Sequence, residues 1–119
     1  MRAIVINAKD RTVTETEIDG KLKSLQQIVG GLITTVYDGL DDSHHCYVND
    51  EGLLHNPQHF FMFEGGHQPL AGNGVILSTT NDGDEAPCTL SLDWVRKRVT
   101  FMDMQAAWEW CHRHERQTD

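Results

Sequence analysis

Apolar and polar positions along the chain change period several times, and each change marks an element. Residues 3–7, "AIVIN", are an apolar β-rich run; after the polar turn "AKDR", "TVTETEI" alternates β-branched residues with Glu15 and Glu17. Two such runs across a short polar loop predict a β-hairpin, and the charge on its second strand suits an exposed edge. Leu22, Leu25, Ile28 and Val29 then recur at helical spacing in "KLKSLQQIV", which gives a predicted helix one apolar face. Asp19 stands ahead of it as a cap for the unpaired amides, and Gly30 and Gly31 follow as a stop in the left-handed conformation. "LITTVYD" and "HHCYVN" predict two more strands around the turn cluster "DGLDDS". On the second of these, His45, Tyr47 and Asn49 share one face and His44, Cys46 and Val48 the other.

In the second half, Asn56 before Pro57 reads as a helix start, a cap followed by the favoured first-position proline. "PQHFFMF" is therefore expected to make one or two helical turns anchored by Phe60, Phe61 and Phe63, with a strand as the alternative. "EGG" and "QPLAGNG" are breakers, "GVILST" a buried strand and "NDGDEAP" a loop. "LSLDWVRKRV" fits a helix capped by Ser91, with Leu92, Val95 and Val99 on its apolar side, although alternation also permits a strand. "TFM" is a short strand, after which Asp103 caps "MQAAWEWCHRHERQ" with an apolar stripe of Met104, Ala107, Trp108 and Cys111. The tail "RHERQTD" is expected to be solvated, its basic residues suiting the negative end of the helix dipole. This order predicts an α+β fold in one domain: a mostly antiparallel sheet with two to four helices packed mainly on one side.

Composition narrows the functional classes. The chain has 119 residues, enough for one domain with a modest core. No apolar run approaches ~18 residues, so no transmembrane helix is expected; "MRAIVIN" is too short for a signal peptide, which points to a cytoplasmic protein. The formal charge is −8, from 18 acidic and 10 basic side chains, and this balance argues against direct binding of nucleic acid phosphates. The acids cluster in turns rather than in a regular stripe, so solvated loops explain them more simply than DNA mimicry does. Cys46, Cys88 and Cys111 are odd in number and form no CxxC pair; a reduced compartment fits, with each expected to be a small buried residue.

Seven histidines raise the question of a metal. His55 and His59 stand four apart, but Pro57 between them would leave His55 outside any helix, which weakens the spacing. His112 and His114 are two apart and face different ways on a helix. Cys46 beside His45 resembles a nucleophile–base pair, yet neighbours on a strand point to opposite faces. No nucleophile elbow, P-loop or dinucleotide fingerprint is present. Two glycine-containing segments remain. In "YVNDEGLLHNPQ", Tyr47 offers a ring and Asn49 and Glu51 polar groups, although Asn, Asp and Gly also make a good turn by themselves. In "PLAGNG", Gly72, Asn73 and Gly74 let backbone amides approach a ligand closely. No catalytic residue, cofactor or metal is assigned.

The stretches "MRAIVINAKDRTVTETEIDGKLKSLQQIVGG", "YVNDEGLLHNP" and "PLAGNGVIL" give the chain its resemblance. It resembles the domain-of-unknown-function family indexed 3846, small bacterial proteins often carried by phages, plasmids and other mobile elements. The resemblance covers roughly the first two-thirds of the chain and, less specifically, the closing "VTFMDMQAAWEW" segment. It implies a fold and a genomic setting and transfers no catalytic residues. The expectation is a non-enzymatic accessory protein that binds a host protein or a small polar ligand. Its site would form where the two bends meet and bring together Tyr47, Asn49, Glu51, Gly72 and Asn73. The alternatives are a small metal-dependent hydrolase using Glu51 with His55 or His59, an acidic DNA mimic, and a module that dimerises through the "TVTETEI" edge.

Overall fold

The computed structural model describes residues 1–37 and 39–115, leaving aside the side chains of His55, His114 and Glu115. The first hairpin pairs β1 (Arg2–Asn7) with β2 (Thr12–Glu17). α1 (Leu22–Val29) follows, then β3 (Ile33–Val36) and β4 (His44–Asn49). A single 3-10 turn, Gly52–His55, leads to β5 (His59–Phe63), β6 (Leu70–Ala71), β7 (Asn73–Thr79) and the two-residue β8 (Glu85–Ala86). α2 (Leu92–Arg98), β9 (Val99–Asp103) and α3 (Met104–Glu115) complete the chain. The strands form two sheets, one ordered β2-β1-β7-β4-β3 with β8 beside β7, the other ordered β6-β5-β9; every pairing is antiparallel. The protein is α+β. No helix among the described residues is long and apolar enough to cross a membrane.

Strand alternation sorts the core into layers. Ile4, Ile6, Val13, Cys46, Val48 and Ile76 lie on one face of the larger sheet and pack against Phe61, Phe63 and Leu70 of the smaller sheet and Val95 of α2. On the opposite face Ala3, Val75 and Leu77 receive Leu25 and Val29 of α1. α3 lies against the smaller sheet, where Ala107 meets Phe60 and Ala71. Among the described residues, two of the three helices thus lie on the side of the smaller sheet, and α1 covers the other face.

Several local expectations need correction. Asn56 is not a helix cap: it is left-handed at φ 52° and closes the 3-10 turn. "HFFMF" is a strand, because β6 and β9 pair with it on both sides and its alternation serves two layers. Phe60 faces α3, while Phe61 and Phe63, edge to face at 5.5 Å, fill the main core. Asp19 does not cap α1 directly; Lys21 holds the cap position, and Asp19 Oδ1 accepts the Lys21 amide one turn earlier, at 2.9 Å. The stripe on α3 is mostly uncovered: Ala107 is buried, but Met104, Trp108 and Cys111 are exposed. Cys111 therefore departs from the buried role expected of all three cysteines, which Cys46 and Cys88 do fill. The "NDGDEAP" loop contains β8, and "QPLAG" contains β6. The caps at Ser91 and Asp103 are present: their side-chain oxygens accept the amides of Trp94, at 3.3 Å, and Ala106, at 2.8 Å. The solvated tail expected over 113–119 falls largely on 116–119 and the side chains of His114 and Glu115, outside the described residues.

Candidate functional site

The site is built at the C-terminal end of α1, where the helix meets the edge of a strand row. β4 and β7 run antiparallel with Tyr47 opposite Val75, and β1 places Asn7 opposite Asn73. Continued by two residues, the β4–β7 register brings Asn49 beside Asn73 on the face that α1 covers. α1 ends at Gly30, whose φ of 87° reverses the chain and lets its amide return to the Gln26 carbonyl at 2.8 Å. Two carbonyls of the last turn are then met from the sheet. Asn73 Nδ2 donates to the Ile28 oxygen at 3.2 Å, and Asn49 Nδ2 donates to the Val29 oxygen at 3.3 Å. Side chains on two neighbouring strands thus cap a helix that has no basic residue in its last turn.

The two bends meet here. Asn49 Oδ1 accepts the Glu51 amide at 2.8 Å and tightens the turn after β4. That turn delivers Gly52 against Ala71 so closely that a Cβ on Gly52 would stand 3.1 Å from the Ala71 Cβ. Gly72 bends the second segment at φ 82°, a conformation L side chains rarely adopt, and its amide donates to the His59 carbonyl at 3.0 Å. Between these pieces lies an open cavity of about 320 Å³. Asn49, Gly72 and Asn73 line it, together with Lys9 from the β1–β2 turn, Gln58 just before β5 and His59 at the start of β5.

Tyr47 and Glu51 do not line that cavity. Tyr47 shares its face with Asn49 but lies two residues away, where its hydroxyl donates to Glu85 of β8. Its ring stands edge-on to His45 at 4.8 Å. Burial first, and the Glu85 carboxylate second, push the Tyr47 phenol upward. His45 is itself buried, with Nδ1 at 2.9 Å from Thr79 Oγ1 and Nε2 at 3.4 Å from Glu85. Glu51 lines an adjoining groove with Leu53, Leu54 and Pro69.

The remaining candidates separate by geometry. Cys46 points into the main core and His45 to the α1 face, so the two diverge; burial pushes the Cys46 thiol far up. His44 is a buried link: Thr89 donates its amide to Nε2 at 3.0 Å, which leaves the proton on Nδ1, and Nδ1 lies 2.7 Å from Asp41 Oδ1. His112 stacks on Trp108 at 4.8 Å. Among the described residues no three His, Cys, Asp or Glu side chains come together as a metal would require. His59 lines the cavity, and the side chain of His55 lies outside the described residues.

Lys9 and Gln58 were not singled out in the sequence. Lys9 is a turn residue, and only the pairing of β1 with β7 carries that turn to the α1 terminus. Gln58 carried no local signal.

Over residues 1–103 the chain matches the family described as domain of unknown function (DUF3846). It belongs to this family. The match takes in every element from β1 to β9, hence all the residues that line the cavity, and stops where α3 begins. Neither a curated protein nor a solved structure matches the chain.

Proposed function

We propose that this DUF3846 protein is a non-enzymatic binding module that holds a small polar ligand in the cavity at the end of α1. The observation that carries the reading is the convergence of five separate chain segments on one cavity of about 320 Å³, with side-chain amides from Asn49, Gln58 and Asn73 at its wall. A concave site with a few convergent polar groups is the usual form of a small-molecule site, and this volume stands near the lower limit for one. Its walls are set by elements whose ends are tied: the α1 terminus by two asparagines, the 70–73 bend by the His59 carbonyl. A rigid, preformed wall lowers the ordering cost of binding. The family resemblance supports a setting among phage and plasmid genes in the bacterial cytoplasm, where such a module would sense or sequester a metabolite for the mobile element.

Thermal unfolding against a panel of small polar metabolites tests the reading. A ligand that binds only the folded state raises the midpoint in proportion to its saturation. Gln58 and His59 are exposed on the cavity wall, so Gln58→Ala and His59→Ala should keep the unliganded midpoint and lose most of the ligand-induced shift. A full shift in both variants would place binding elsewhere.

A further inference from the structure

We infer that the ligand of this cavity is a small anion, a carboxylate or phosphate ester of metabolite size. The inference rests on the binding reading above and gives it a chemical class. It starts from a contrast of charge. The chain carries 18 acidic against 10 basic side chains, yet among the described residues lining the cavity none is acidic, and two, Lys9 and His59, are basic types. These two come from different segments, the β1–β2 turn and the start of β5. Acids cluster nearby, with Asp50 and Glu51 lining the adjoining groove and Asp10 held by Asn7, so the absence is local to this wall.

The C-terminal end of a helix ordinarily repels an anion. Here the carbonyls of Ile28 and Val29 are occupied by the amides of Asn73 and Asn49, and that of Gln26 by the amides of Gly30 and Gly31. Three carbonyls of the negative end are thus met by donors. Each asparagine amide nitrogen carries a second N–H after its bond to the helix. Lys9, the two asparagines and the Gln58 amide make a wall rich in donors with one fixed positive charge, the composition that selects anions over neutral polyols or amines.

Titration of ¹⁵N-labelled protein tests this, with inorganic phosphate and malonate as anions, ribose as the neutral probe and putrescine as the cation. The expected result is saturable shifts of the Gly30, Gly52, Gly72 and Asn73 amides with at least one anion, at least tenfold weaker response to ribose and putrescine, and a tenfold or greater loss of anion affinity in Lys9→Glu. The stronger of the two anions identifies the carboxylate or the phosphate class. Saturable shifts of the same amides with ribose or putrescine but neither anion would overturn the charge assignment and leave the cavity a binding site. No saturable shift at these amides with any of the four would overturn the site itself. If Lys9→Glu keeps its amide spectrum and binds the anion like the parent protein, the role of Lys9 is overturned.

Discussion

Asn73 Nδ2 reaches across 3.2 Å to the Ile28 carbonyl, and the end of α1 depends on that N–H as much as any ligand would. Replacing Asn73 with Ala removes the donor and should cost about 1 kcal/mol. Asn73→Asp should cost more, because a carboxylate accepts only and adds a repulsion of roughly 0.3–1 kcal/mol at the negative helix end. Urea denaturation should order the variants wild type, Ala, Asp in falling stability; Asp equal to wild type would contradict the capping geometry. Because these asparagines serve the fold, their loss alone cannot report on binding, whereas Gln58, His59 and Lys9 can. Asp41 gives a pH-dependent case. Burial raises its carboxyl, but the hydrogen bonds from His44 and Ser43 outweigh this and hold it below the usual aspartate value. A depressed folded value means that the stabilisation is present above the unfolded value of about 3.9 and is lost as pH falls through the folded one. The stability gap between wild type and Asp41→Asn should therefore shrink from pH 5.5 to pH 3, and a gap constant over that range would remove Asp41 from the acid limb.

Among the elements, those whose period and punctuation agreed were legible in the sequence. α1 has a helical stripe and a glycine stop, and the first hairpin has alternation across a polar turn, and both stand close to their expected limits. For β5 the leading expectation of a helix fails because Asn56-Pro57 imitates a helix start, and the alternative strand holds because two pairing partners arrive later in the chain. The α3 stripe was read correctly as a period but not as burial, since only Ala107 finds a surface to cover it. At the site, glycine and asparagine mark the two bends, which is why the shared position of Asn49, Gly72 and Asn73 on one cavity wall was legible in the sequence. Tyr47 was diverted by Glu85, which is 38 residues away, a partnership no local pattern announces. The meeting of the two sheets supplies a further prediction at this scale. A Cβ on Gly74 of β7 would stand 2.7 Å from Phe61 Cζ and 2.8 Å from Cys46 Sγ. Gly74→Ala should destabilise by about 1–3 kcal/mol through overpacking, seen as a lower urea midpoint; an unchanged midpoint would mean the sheets pack less tightly there.

For the molecule as a whole, the layers decide which groups solvent can reach. Burial raises the Cys46 and Cys88 thiols, and Cys111 stands exposed on α3. The native protein should react with one equivalent of a thiol reagent and the denatured protein with three; two or more fast thiols in the native state would contradict the layering. Among the open features this layering leaves are the cavity at the α1 terminus and an apolar groove between α3 and the 3-10 turn, lined by Leu53, Phe60, Met104 and Trp108. The family match covers the first wholly, whereas α3, which forms one wall of the second, lies beyond it. The binding proposed above is therefore placed at the first rather than the second. The most direct measurement is a crystal structure of the protein with a compound that raises its melting midpoint. The account predicts density for that compound between Lys9, His59 and Asn73; density in the Trp108 groove, with the α1 terminus left to solvent, would contradict it.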